Sequence, residues 1–136
     1  MSGERILLVE DDGSQAKPFS QMLEYRGYTV RWAQDIVSAT RIAREFDPHL
    51  VIVDLLLVST EAEADGFDVI TTLRSASFAT QAFGIMVWTS HFVNAKDEIR
   101  ALRSGADEYL RKDAEFGLIE ARLEALLRRI RQLRGS

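Results

Sequence analysis

Leu50-Val51-Ile52-Val53-Asp54 decides how the rest of the chain is read: an apolar run preceded by Asp47-Pro48 and closed by a carboxylate reads as a buried strand that ends on an acid. The same construction recurs along the sequence. Ile6 to Val9 runs into Glu10 and Asp11, Ile85 to Trp88 into Thr89, and Tyr109 to Arg111 into Lys112. In a parallel α/β sheet, residues just past the strand carboxyl ends gather along one edge, where the topological switch point opens a ligand crevice. The pattern therefore brings carboxylates, a hydroxyl and an ammonium to one place.

Working outward, strand-like and helix-like patterns alternate from end to end, which points to an α/β fold. Arg5 to Glu10 is the first strand, and a helix from about Gly13 to Arg26 follows, with Phe19, Met22 and Leu23 on its inner face and Gly27 as its stop. Pro18 removes a backbone donor there, so this helix is expected to begin late or bend early. Thr29 to Ala33 is the second strand. Asp35 suits the N-cap of a helix reaching Phe46 that buries Val37, Ile42, Ala43 and Phe46. After the strand Leu50 to Asp54, the segment Leu55 to Asp65 is long for a strand-to-helix connection and is read as a mobile surface loop. A helix from Phe67 to Arg74, the strand Ile85 to Thr89, a helix from Ala95 to Ser104 with Ile99 and Leu102 inward, and the strand Glu108 to Arg111 come next. From about Ala114 the chain is helical, with Phe116, Ile119, Leu123, Leu126, Ile130 and Leu133 in a coiled-coil-like seam.

Composition narrows the class. With 136 residues and 46% hydrophobic content, one domain with a sizeable core fits and a second does not. No apolar run approaches the ~20 residues of a membrane span, and no secretory signal is visible. The absence of cysteine excludes disulfides and thiolate metal sites and agrees with a cytoplasmic location. A net charge of −4 argues against direct nucleic-acid binding, which needs a basic footprint.

In combination, Val9-Glu10-Asp11, Val51-Ile52-Val53-Asp54, Thr89 at the end of its strand, and Gly105-Ala106-Asp107-Glu108-Tyr109-Leu110-Arg111-Lys112 resemble the receiver domain of two-component response regulators, from Arg5 to about Arg129. The resemblance implies a flavodoxin-like, doubly wound, five-stranded parallel sheet of order 2-1-3-4-5 with five helices, the last extended. It implies one receiver domain over residues 1–136, with a core of about 5–129 and a helical extension or linker start at 130–136. It also implies Asp54 as phosphoacceptor, charged from a phosphohistidine on a histidine kinase or phosphotransfer protein. Asp11 and Asp54 would bind Mg²⁺ directly, Glu10 through water, and the Leu56 backbone carbonyl would add an oxygen. Mg²⁺ suits such hard oxygen donors and keeps part of its water shell. Two carboxylates ~4 Å apart repel by ~4 kcal/mol at an effective dielectric of ~20, so crowded acids call for such a counter-charge. Lys112 and Thr89 would hold the phosphoryl oxygens. Thr89 and Tyr109 would form the switch that changes the face of the fourth helix, fifth strand and fifth helix, where a downstream protein docks.

This chain departs from the family pattern in three places. Asp113 stands where proline usually follows the lysine, and it is expected to N-cap the last helix. Asp65-Gly66 arrives four residues later than the family's usual glycine, so the loop carrying Leu56 is expected to be unusual. Ser90 follows Thr89 where the family favours alanine. In the last helix, Ile130 and Leu133 have little domain left to cover, which suggests a homodimer helix or the lead into an output domain. The alternatives are a receiver-fold interaction module that no longer accepts phosphate and a flavodoxin-like small-molecule binder. The latter is disfavoured because no glycine- or hydroxyl-rich loop follows the first strand.

Overall fold

The computed structural model describes residues 3–57, 65–75, 81–90 and 94–135. Strands and helices alternate through them as β1 (Arg5–Val9), α1 (Gly13–Tyr25), β2 (Thr29–Ala33), α2 (Ile36–Phe46), β3 (Leu50–Val53), α3 (Gly66–Leu73), β4 (Gly84–Thr89), α4 (Ala95–Ser104), β5 (Glu108–Arg111) and α5 (Phe116–Leu133). All pairings are parallel, and the strand order is β2-β1-β3-β4-β5. The middle strands are uninterrupted runs of apolar residues because helices cover both faces of the sheet. Alternate residues go to opposite cores. Leu7, Val9, Val51, Val53, Ile85 and Val87 pack beneath α2 and α3, whereas Ile6, Leu8, Leu50, Ile52, Met86 and Trp88 pack beneath α1 and α5. Strand β2 lies at an edge and carries exposed residues at Thr29, Arg31 and Trp32.

Local signals set the helix ends. Asp12 accepts from the Ser14 amide at the start of α1, Asp35 and Ser38 form a reciprocal capping box on α2, and Asp65 and Asp68 form another on α3. At the end of α4, Gly105 sits at φ 123°, a backbone conformation that disfavours residues with a Cβ.

Several expectations need correction. Helix α1 starts at Gly13 and accommodates Pro18 in its interior; Pro18 and Ser14, the residue whose carbonyl loses a donor, are both exposed, so solvent can replace the missing bond. Met22, Val37, Ile99 and Leu102 are not core residues, being 43%, 73%, 47% and 43% exposed. In α4 only Ala101 is buried, because this helix rests on α3 and β5 by a narrow strip. Helix α5 begins at Phe116 after Glu115, and no side chain among the described residues caps it; Asp113 instead pairs with Arg111. Ile130 belongs to the core beneath α5, and Leu133 is the seam residue left exposed. Beyond it, the Arg134 guanidinium folds back to donate to the Ala82 and Pro48 carbonyls and to pair with Asp47. The expectation of a mobile loop over Leu55 to Asp65 falls mostly on residues 58–64, which lie outside the described residues.

Candidate functional site

The sheet reverses direction of growth between β1 and β3, and the two strands leave it side by side. Val9 pairs with Val53, and the Asp54 amide donates to the Val9 carbonyl at 3.0 Å. Glu10 and Asp54, one residue further on, therefore project from neighbouring strand ends at the switch point. On the far side of β3, Val53 is in register with Val87 and Thr89 with Arg111, and the Lys112 amide donates to the Thr89 carbonyl at 2.7 Å. The register alone thus brings the ends of β1, β3, β4 and β5 to one edge.

Among the described residues, the buried polar or charged side chains are Glu10, Asp54 and Thr89, all of them here. Buried polar groups must be satisfied by partners. Asp54 Oδ1 accepts from the Thr89 hydroxyl at 3.0 Å and from the Leu56 amide at 3.2 Å, while Oδ2 accepts from Lys112 Nζ at 3.0 Å. Lys112 also donates to Glu10 and to Gln15 Oε1, the latter at 2.6 Å, and its ammonium lies 4.8 Å from the centroid of the Trp88 ring. Trp88 in turn stacks on Phe19 at 4.0 Å. Trp32 on the edge strand donates through Nε1 to the Glu10 backbone carbonyl at 2.5 Å.

Glu10, Asp11 and Asp54 each offer a carboxylate oxygen within 4.8 Å of the others. Burial pushes the Glu10 carboxyl up to about 7, against the pull of its hydrogen bond from Lys112 and with the Asp54 charge adding to the rise. For Lys112, burial works against the charge, but hydrogen bonds to Glu10 and Asp54 outweigh it and hold the ammonium above its ordinary value. An acid kept from ionising by burial and a neighbouring carboxylate is what a divalent cation would relieve. Three hard oxygen donors are also the donor type that Mg²⁺ accepts, so the residues present fit a metal.

Gly66 explains how the late glycine keeps its place. A Cβ there would lie 2.2 Å from the Asp54 carbonyl oxygen and 2.5 Å from Leu55 Cα, so the start of α3 abuts the backbone that carries Asp54. The Leu56 side chain is exposed, while Leu57 is buried. The Tyr109 ring packs against the core beneath α2 and α3, its hydroxyl is buried with no hydrogen-bond partner among the described residues, and burial raises that phenol to about 12.

The structure brings Glu10, Asp11, Asp54, Thr89 and Lys112 to this edge, with the Leu56 amide on Asp54 and Tyr109 on the adjoining strand. Sequence reasoning missed Gln15, the third acceptor of the Lys112 ammonium. The sequence marks Gln15 only by its place three residues after the N-cap Asp12, which says nothing of Lys112.

The response regulator receiver domain family matches residues 6–124. Curated relatives include the DNA-binding dual master transcriptional regulator RpaA of Synechocystis, 34% identical over 92% of this chain and 49% of its own length. The two-component response regulator PhoP of Pseudomonas aeruginosa is 33% identical over 92% of this chain and 52% of its own. The chain thus spans about half the length of these relatives. Among solved structures, the beryllofluoride-activated N-terminal receiver domain of Klebsiella pneumoniae RstA superposes with a TM-score of 0.80 at 25% identity, covering 92% of this chain and 99% of that one. The signal receiver domain of a Luxo repressor protein from Vibrio parahaemolyticus gives 0.82 at 22% identity, covering 96% and 94%, a likeness of fold.

Proposed function

This chain belongs to the response regulator receiver domain family, and from that premise we propose that Asp54 is its phosphoacceptor, charged in the cytoplasm by a histidine kinase or phosphotransfer protein. The observation that carries this reading is the surroundings of Asp54: a buried carboxylate with a hydroxyl on one oxygen, an ammonium on the other and two further acids alongside. Asp11 and Asp54 would hold Mg²⁺ directly, Glu10 through water, with the Leu56 carbonyl adding an oxygen. When bound, the metal supplies positive charge that offsets the phosphoryl oxygens and fixes their orientation.

In the reaction, an Asp54 carboxylate oxygen attacks the phosphorus of a phosphohistidine. A P–O bond forms, the P–N bond breaks, and an acyl phosphate results. Lys112 neutralises charge on the transferring group, and the Thr89 hydroxyl turns its donor from Asp54 to a phosphoryl oxygen. Water attack later releases phosphate and restores the carboxylate. Acting on itself, the domain works as a signalling switch that assists its own phosphorylation and dephosphorylation.

The output follows from a two-state element. Thr89 directed at Asp54 together with an inward Tyr109 ring matches the arrangement expected once phosphate is bound, and phosphorylation would stabilise it only by its differential affinity for the two states. Half-exposed Ile99 and Leu102 on α4 and Leu118 on α5 give the α4-β5-α5 face an apolar component for a downstream protein or a second copy of the chain. Residues 1–136 form one receiver domain in this reading. Titration with beryllofluoride and Mg²⁺, followed by amide NMR, tests it: resonances of β4, β5 and α4 should shift in the unsubstituted chain and stay put in Asp54→Asn. Identical behaviour of the two would favour an interaction module that no longer accepts phosphate.

A further inference from the structure

We infer that Gln15 is a positioning residue for Lys112, holding the ammonium at the phosphoryl site when its carboxylate partners are drawn elsewhere. The inference rests on the reading of Lys112 as the phosphoryl-binding cation. An ammonium has three donors and no acceptor, and all three are engaged here by Glu10, Asp54 and Gln15. Two of these acceptors belong to the acid cluster, whose oxygens a divalent cation would claim, and one of them is the nucleophile itself. Gln15 is neutral and stands outside that cluster.

Its amide is oriented from both ends. Nε2 donates to Asp12 Oδ2 at 3.0 Å, and Asp12 is anchored by accepting from the Ser14 amide at 2.9 Å as the N-cap of α1. Because an ammonium can only donate, the amide oxygen must face Lys112 and the NH₂ must face Asp12. The Trp88 ring, braced by Phe19, gives the ammonium an aromatic neighbour that no metal or phosphate competes for. The backbone fixes only the near end of this long side chain, through the Lys112 amide on Thr89, while Asp113 turns away to Arg111. The far end therefore depends on Gln15 and Trp88 once the acids are occupied. Gln15 should then matter for phosphoryl binding and not for metal binding.

The test uses the full chain with Gln15→Leu, Lys112→Ala and the double variant, each titrated first with Mg²⁺ alone by tryptophan fluorescence and then with beryllofluoride in saturating Mg²⁺ by calorimetry. Because Gln15 becomes the main remaining acceptor of the ammonium once the acids are occupied, losing its hydrogen bond to a charged group predicts about a tenfold weaker beryllofluoride affinity for Gln15→Leu, with the Mg²⁺ affinity unchanged and the metal-free melting temperature lowered, since the bond is already made there. In the Lys112→Ala background the same substitution should have no further effect. An unchanged beryllofluoride affinity in Gln15→Leu, or an equal loss with and without Lys112, would overturn the inference while leaving the phosphoacceptor reading in place. Failure of the unsubstituted chain to bind beryllofluoride would remove that reading and this one together.

Discussion

Replacing Glu10 by glutamine should change how stability depends on pH, in a direction the site's geometry dictates. Glu10 is 1% exposed, and burial lifts its carboxyl from 4.5 to about 7. The folded chain therefore holds this proton more tightly than the unfolded chain does. Below about pH 4.5 both states are protonated and the residue carries no penalty; as pH rises through the interval to 7 the unfolded state ionises first, and stability falls. At ~1.4 kcal/mol per tenfold change in proton affinity, the move from 4.5 to about 7 amounts to about 3 kcal/mol lost once the pH exceeds 7. Glutamine keeps the shape and an oxygen for Lys112 but has no proton to lose. Urea denaturation in chelator at a series of pH values from 5 to 8 should show the unsubstituted chain losing about 3 kcal/mol relative to Glu10→Gln. Saturating Mg²⁺ should flatten that difference. Parallel pH curves for the two proteins in chelator would refute the claim that Glu10 is held protonated by burial against its acidic neighbour.

Asp11→Ala should raise metal-free stability by about 1 kcal/mol, since it removes a carboxylate crowded against Asp54 and Glu10 at a half-exposed position where solvent screens much of the repulsion, and it should abolish Mg²⁺ binding; calorimetric melts in chelator and a metal titration check both. Gly66→Ala places a methyl on the Asp54 carbonyl and Leu55 Cα, contacts that backbone must yield to, so a loss of about 3 kcal/mol or more in urea denaturation, with weakened beryllofluoride binding, is expected. Asp35→Ala breaks the α2 capping box, which takes no part in the bonds to Asp54 or Lys112, and should cost about 1 kcal/mol of stability while leaving beryllofluoride affinity untouched.

The middle strands β1, β3 and β4 were legible because apolar runs covered on both faces carry no alternation to confuse, and each ran into a residue too polar to continue the core. The site was legible for the same reason: Glu10, Asp54, Thr89 and Lys112 stand at strand ends that the parallel register must align. Helix faces were less so. Periodicity locates an apolar stripe, but whether Met22, Val37, Ile99 or Leu102 is covered depends on where the neighbouring element stops, and α4 meets its neighbours along too narrow a strip to bury two large side chains. Asp113 was assigned as a cap from its residue type, whereas Arg111, two residues back, offered its carboxylate a stronger partner. Gln15 stayed hidden because its role depends on Lys112, 97 positions away, reaching across the strand ends to its amide.

Asp54 should take up a phosphoryl group. Intact-mass spectrometry after incubation with acetyl phosphate and Mg²⁺ tests it most directly. A gain of one phosphoryl mass is expected that maps to Asp54, is removed by hydroxylamine and disappears in chelator and in Asp54→Asn. No gain in the presence of the metal, or a gain that persists in Asp54→Asn, would contradict it.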